Sequence, residues 1–408
     1  MARVQPQHLT ASKAVSISLI VFSQIAAMAL WFSGTAAATS LVAAGALSGQ
    51  QAGLLTGAVQ LGFVTGTLVS AGWGLSDRFD PRRLFAACAL TGALANALLL
   101  ATGFDTALTV LLRFVTGAML AGVYPVGMKM AAAWTEKAVG LMIGTLVGAL
   151  TLGSSLPYLF NAVTGLEWQS TIVLSTGCAV LSVLSISLSR LGPGHRQAAR
   201  FRLTEALGAL RRRSMLLANA GYLGHMWELY AMWAWIGLFL EWALDQAGSP
   251  LAQKSGLITF AVIAVGAAGS VLAGLLADRI GRTTVTIAAM VVSGSCAATI
   301  GFLPHVGGFA VIAVALVWGF AVVADSAQFS ASVAELAEPH LVGTMLTLQT
   351  SMGFLLTFLV IQGMPLVIDA VGWSHAFIVL AIGPMLGVVA MWRLRLDPES
   401  VRLAHGRR

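Results

Sequence analysis

His225 and Glu228 lie three positions apart within a long apolar stretch, and Asp325 and Gln328 repeat that spacing further along the chain. In a helix a spacing of three puts both side chains on one face, so each pair can share a proton or hold a polar solute. A carboxyl group in apolar surroundings is costly when ionised, which is the property of a group that takes up and releases protons. Glu228 is the first candidate for that role, with His225 as its relay or partner. Asp325 is the second: a helix that continues to Ser332 buries it, and one that stops near Ala324 leaves it a cap. Arg113 stands some six residues inside another apolar run, where it needs water, a partner or a reach to the interface. Tyr222, Trp227, Tyr230, Trp233 and Trp235 flank the first pair, and packing and interfacial anchoring account for most of them. Phosphate-binding glycine loops, clustered metal ligands and a nucleophile with a persuasive base are all missing from the sequence, so no cofactor and no covalent catalysis are expected. An ion gradient is the remaining source of drive.

The elements that must position these residues are membrane helices. Hydrophobic residues make up 58% of the 408 and charged residues only 10%, with a mean hydropathy of +0.86, so an ordinary globular core cannot hide the apolar surface. Runs of about 20 apolar residues, the length a helix needs to cross the hydrocarbon layer, recur along the whole chain. Twelve spans are expected: Ala14 to Ala38, Ala52 to Gly74, Leu84 to Gly103, Ala107 to Trp134, Gly140 to Ala162, Trp168 to Ser189, Met215 to Glu241, Gly256 to Leu276, Thr283 to Leu303, Gly307 to Ser332, Leu341 to Val367 and Trp373 to Leu394. The short links leave no room for a soluble domain. At 1.5 Å per residue Arg113 lies ~9 Å from the outer end of its span, Glu228 ~20 Å and Asp325 ~26 Å, so the cation is not an obvious partner of either acid. Tyr124, eleven residues after Arg113, shares its face, whereas Lys129 points roughly opposite unless Pro125 rotates the lower half.

With both termini in the cytoplasm, all 23 basic residues except Arg113 and Lys254 fall at the inner side, which obeys the positive-inside bias. Residues 190–214 carry seven arginines up to Arg213 against the single acid Glu205, and this segment reads as a cytoplasmic connector between halves 1–189 and 215–408. Its basic run is a topology signal that also touches anionic lipid headgroups, rather than a nucleic-acid site. The first apolar run follows Lys13 and is longer than a signal-peptide core, so it stays as a span. Cys88, Cys178 and Cys296 fall inside expected spans and act as small packing residues.

Two charged phrases about 200 residues apart, half the chain, mark the halves as repeats. They are Leu75-Ser76-Asp77-Arg78-Phe79-Asp80-Pro81-Arg82-Arg83 and Gly274-Leu275-Leu276-Ala277-Asp278-Arg279-Ile280-Gly281-Arg282, each closing the second span of its half. The chain resembles the major facilitator superfamily, whose Gly-x-Leu-Ala-Asp-Arg-x-Gly-Arg phrase the second copy matches almost residue for residue. The first copy departs from it, with Trp73 and Asp80 at the glycine positions. Span four follows the family pattern of an intramembrane arginine, Arg113, with Gly117, Gly122 and Pro125 after it. Gly140, Gly144, Gly148, Gly153 and Pro157 are loosely similar to the motif of the family's drug-exporting branch, although close helix packing explains four-residue glycine spacing equally well.

The resemblance implies an all-α integral membrane fold of two pseudo-symmetric six-helix bundles that rock about a midplane cavity. It places Gln24, Arg113, Glu228 and Asp325 around that cavity, because the first, fourth, seventh and tenth spans line it. Tyr124, His225 and Gln328 complete the candidate set for substrate binding or proton coupling. Asp77, Arg78, Arg82, Asp278, Arg279 and Arg282 are expected to act as gating turns. The implied function is secondary active transport of a small solute coupled to protons, by a monomer in the inner cell membrane. Uptake of an organic anion drawn by Arg113 competes with export of a lipophilic compound suggested by the span-five glycines and span-seven aromatics. A non-transporting membrane sensor on the same fold would carry an added soluble domain or a long tail. A membrane enzyme working through Glu228 and His225 alone is a thinner alternative.

Overall fold

The computed structural model describes residues 6–134, 139–165, 167–194 and 201–408. The first six membrane helices are α1 (Lys13–Ala43), α2 (Gly49–Trp73), α3 (Pro81–Thr102), α4 (Ala107–Ala132), α5 (Gly140–Val163) and α6 (Trp168–Leu188). Next comes α7 (Arg213–Gln246), 34 residues long. The remaining five are α8 (Pro250–Ile280), α9 (Arg282–His305), α10 (Gly308–Leu336), α11 (Val342–Val371) and α12 (Trp373–Leu396). Eleven of these meet the length and hydropathy of a membrane span. The exception, α7, is long enough to cross, but His225, Glu228, Glu241, Asp245 and its indole and phenol rings dilute its apolar character.

Several of the helices are interrupted, and two of the breaks, in α4 and α10, matter for the site. In α4 the regular helix stops at Leu120 and restarts at Tyr124. Pro125 lies just past the gap and has no N–H to carry the ladder through it. In α10 it stops at Ala324 and restarts at Ser326, so that Asp325 is the cap of both pieces. Neither side chain caps the break; Asp325 and Ser326 both turn to His225 of α7 instead. Asp325 is thus a buried residue at a break in a continuing span, between the two alternatives the sequence left open.

The packing repeats itself. In the first half α1 lies against α5 and α6, α2 against α4, and α3 against α6; in the second half α7 lies against α12, α8 against α10, and α9 against α12. The halves meet along two seams, α5 with α8 and α2 with α11. Small residues make the first seam close: a Cβ on Gly144 would stand 2.9 Å from the Ser270 carbonyl oxygen, and one on Gly148 would stand 3.1 Å from that of Ala267. Without a hydrophobic drive between helices in lipid, such backbone approach is what holds them together. The glycines of span five are therefore accounted for as a packing stripe. The connector carries a short helix, Leu203–Leu210, and its Arg202 amide donates to Thr344 on α11; residues 195–200 lie outside the described part.

Candidate functional site

Between the halves, α4, α5, α7, α10 and α11 enclose a small chamber of about 80 Å³. It is lined by Tyr124, Tyr222, His225, Tyr230, Trp233 and Ser326 among others, and it runs into a vestibule of about 390 Å³ toward the end that carries the Asp-Arg turns. The vestibule walls are mostly apolar, from Phe63, Met128, Met142 and Leu346, with Lys129 on one side. The break in α4 is what turns Lys129 into this space, where its Nζ donates to the Ser76 carbonyl at 3.3 Å.

Away from the vestibule, aromatic rings from both halves close the chamber. Trp31 stacks on Tyr230 with centroids 5.8 Å apart, Tyr230 meets Phe354 at 4.9 Å, and Phe32 meets Trp233 edge-on at 5.8 Å. Further out, Gly57 fits under Phe358, and Gly53 lies against Gln362 and Trp235, sealing the α2–α11 seam.

At the chamber wall the His225 ring is held between two groups of the α10 break. Its Nδ1 lies 2.9 Å from Asp325 Oδ1, and its Nε2 lies 2.8 Å from the Ser326 hydroxyl. Among the described residues Asp325 Oδ1 accepts no well-aligned hydrogen bond, and its contact with His225 is an ion pair only when the ring is protonated. Both residues are about 2% exposed along their side chains, hence largely shielded from water. Glu228, one turn further along α7, faces away from the chamber. Its Oε1 accepts from Trp318 Nε1 at 2.7 Å and its Oε2 from Ser293 Oγ at 2.8 Å.

Arg113 is buried outside the chamber, within the first half. Its Nη2 donates to the Trp31 carbonyl at 2.7 Å, and its Nη1 donates to Ser33 Oγ at 3.1 Å and Asn96 Oδ1 at 3.3 Å. No carboxylate pairs with it among the described residues. Gln24 is buried against Gly127 of α4, with no hydrogen-bond partner for either end of its amide among the described residues. Gln328 belongs to a different cluster, where its Oε1 accepts from Arg282 Nη1 at 2.8 Å.

A family model described as Major Facilitator Superfamily matches residues 19–361. The chain belongs to the Major Facilitator Superfamily. It is a membrane transporter of that class and not an enzyme. Its fold is similar to that of a point variant of the nucleoside transporter NupG, at TM-score 0.71 and 15% identity, covering 94% of this chain and 99% of the other. It is similar also to the proton:xylose symporter XylE bound to 6-bromo-6-deoxy-D-glucose, at TM-score 0.69 and 14% identity, covering 93% and 96%. No curated protein matches the chain in sequence.

The two phrases that announce this superfamily fold differently. In the second copy α8 runs unbroken through Asp278 and Arg279, and Gly281 turns the chain at φ +96°, a left-handed value that favours glycine. Arg282 then opens α9 and reaches α10, donating to Glu335 at 2.9 and 2.6 Å and to Gln328. Asp278 lies 3.6 Å from the same guanidinium, and a Cβ on Gly140, at the start of α5, would stand 2.9 Å from its carboxyl oxygen. In the first copy Gly74 ends α2 at φ +61° and a short helix, Leu75–Arg78, follows. Asp80, at the glycine position, caps α3 by accepting from the Arg82 amide, and the Arg82 guanidinium folds back on it at 3.1 and 2.7 Å. The hydrogen bond from Arg82 holds the Asp80 carboxyl below the usual carboxylate range. Arg282 thus braces two helices, while Arg82 secures its own turn and one carbonyl of Ser189. The Asp77 side chain lies outside the described residues.

Several partners have no place among the candidates read from the sequence: Glu335, Ser326, Trp318, Ser293 and Asn96. The signal that could have flagged Asn96 and Ser293 is modest, a polar residue on the buried side of a membrane helix.

Proposed function

We propose that the protein is a proton-coupled secondary transporter of a small uncharged solute, with the His225–Asp325 pair linking proton to solute. The setting of His225 carries this reading. Apart from tyrosine phenols, it is the one ionisable side chain among the described residues that line the chamber, and Asp325 backs it at 2.9 Å. Histidine changes charge nearest neutral pH of all side chains, so a proton gradient can act on it at the place where solute would sit. Protonated, the ring and the carboxylate compensate each other. Once the ring loses its proton, Asp325 becomes a buried charge without a counter-ion, which is costly and drives a rearrangement of the α10 break.

The solute would meet the phenols of Tyr124, Tyr222 and Tyr230, the Ser330 hydroxyl and the Trp233 ring. Hydroxyls and aromatic faces suit an uncharged ring that bears hydroxyl groups, the chemistry of a nucleoside or a sugar. Arg113 favours this over an organic anion, because it gives its donors to α1 and Asn96. The apolar vestibule favours a second reading, export of a lipophilic compound through the same cavity. In either case the turn-bearing end faces the cytoplasm of an inner membrane, with the basic turns among anionic headgroups, and one chain suffices.

Solute counterflow into proteoliposomes tests the proposal, using nucleosides and pentoses beside organic anions and lipophilic cations. Accumulation of an uncharged ring solute that rises with an inward proton gradient is expected. Transport of anions alone, or transport indifferent to the gradient, would overturn the reading.

A further inference from the structure

We infer that Glu228 is a second protonation site, set behind the chamber rather than in it, and that the Ser293 hydroxyl responds to its charge state. The chemistry stands on its own, and only its use in transport rests on the coupling proposed above. Glu228 is 1% exposed, and its two oxygens accept from Trp318 and Ser293, so it has hydrogen bonds but no cation among the described residues. The titratable groups that face it are Asp325 from α10 and Cys296 from α9, with His225 one turn earlier on α7. The other neighbouring helices bring none near that depth: α8 has none between Lys254 and Asp278, α11 none before Asp369, and α12 none between His375 and Arg393. A single histidine cannot neutralise two carboxylates, and His225 lies against Asp325. An ionised Glu228 is therefore an uncompensated charge in a low-dielectric bundle, and a proton removes that cost.

Ser293 has two hydrogen-bond options. Its Oγ lies 2.8 Å from Glu228 Oε2 and 3.4 Å from the Met290 carbonyl oxygen. With Glu228 ionised, the serine donates to Oε2. When Glu228 takes a proton from a hydronium ion, which leaves as water, an O–H bond forms at Oε2 and donates to Ser293 Oγ, and the serine hydrogen swings to the Met290 carbonyl. Trp318 donates to Oε1 in both states. The proton thus changes a hydrogen bond on α9 without moving a heavy atom, so Ser293 is a positioning residue for the acid.

Infrared difference spectroscopy of the full-length protein in liposomes, titrated with pH, reads the C=O stretch of a protonated carboxylic acid directly. A titrating band that disappears in Glu228→Gln is expected, because glutamine keeps the shape and loses the proton. Ser293→Ala is expected to move the band and to raise its midpoint by about one pH unit, a tenfold change in proton affinity, since the carboxylate loses a donor. Ser293→Thr restores the wild-type band. A band that survives Glu228→Gln, one that ignores pH, or one unaffected by Ser293→Ala would overturn the inference, with thermal midpoints confirming that each variant is folded. An intact Glu228-dependent band in a protein whose transport ignores the proton gradient would sustain this inference while overturning the coupling proposed above.

Discussion

Arg113 shows how a charge is kept inside a membrane protein without a counter-charge. Its planar guanidinium divides its donors among the α1 carbonyls, Ser33 and Asn96, so that partial negative charge from several dipoles replaces one carboxylate. A lysine keeps the charge but cannot span those acceptors. Arg113→Lys is expected to destabilise the protein by about 2 kcal/mol, read as a lower thermal midpoint in detergent, and to leave the proton dependence of transport unchanged. Asp80 gives a second prediction at this scale. Its carboxyl titrates below the ordinary range in the folded chain, so its contribution is full at neutral pH and is lost as pH falls from the unfolded value through the lower folded one. Asp80→Ala should cost about 1 kcal/mol at neutral pH, with a gap to wild type that narrows in acid. The cost of an intramembrane arginine was legible in the sequence, and its partners were not, because they come from helices whose spacing along the chain says nothing of how they pack.

The α5–α8 seam and the α10 break carry the argument for the elements. At the seam, the Ser270 hydroxyl donates to the Gly144 carbonyl at 2.7 Å, and the missing side chain on Gly144 permits that approach. Gly144→Val would push a methyl-bearing carbon into the Ser270 carbonyl. It is expected to cost about 1–3 kcal/mol by overpacking and to raise the rate at which a thiol reagent labels a cysteine placed at Thr347 in the vestibule. An unchanged labelling rate would show that the seam does not govern opening. Helix number and rough span limits were legible, because twenty-residue apolar runs leave few alternatives. The α10 break was not, since Asp325 is followed by Ser326 and Ala327 in a sequence whose apolar pattern simply continues. Only the packed structure shows that this acid ends one helix, starts another and lies against His225.

The whole molecule is closed by aromatic rings and the α2–α11 seam at one end and opens through a vestibule at the other. The repeat, the superfamily and the place of the turns were all readable from the twin Asp-Arg phrases, whereas the different use of Arg82 and Arg282 depended on whether Asp or Gly stood at the turn. Transport by such a fold requires the chamber to face each side in turn. In the proposed mechanism His225 and Asp325 link that exchange to the proton. The most direct measurement is lumenal pH in dye-loaded proteoliposomes, driven by a gradient of the solute that counterflow selects. Wild type should move protons with solute, while His225→Gln and Asp325→Asn should keep solute exchange and lose at least about tenfold of the coupled proton flux, the equivalent of about 1.4 kcal/mol of coupling free energy. Undiminished proton movement in both variants would contradict the account.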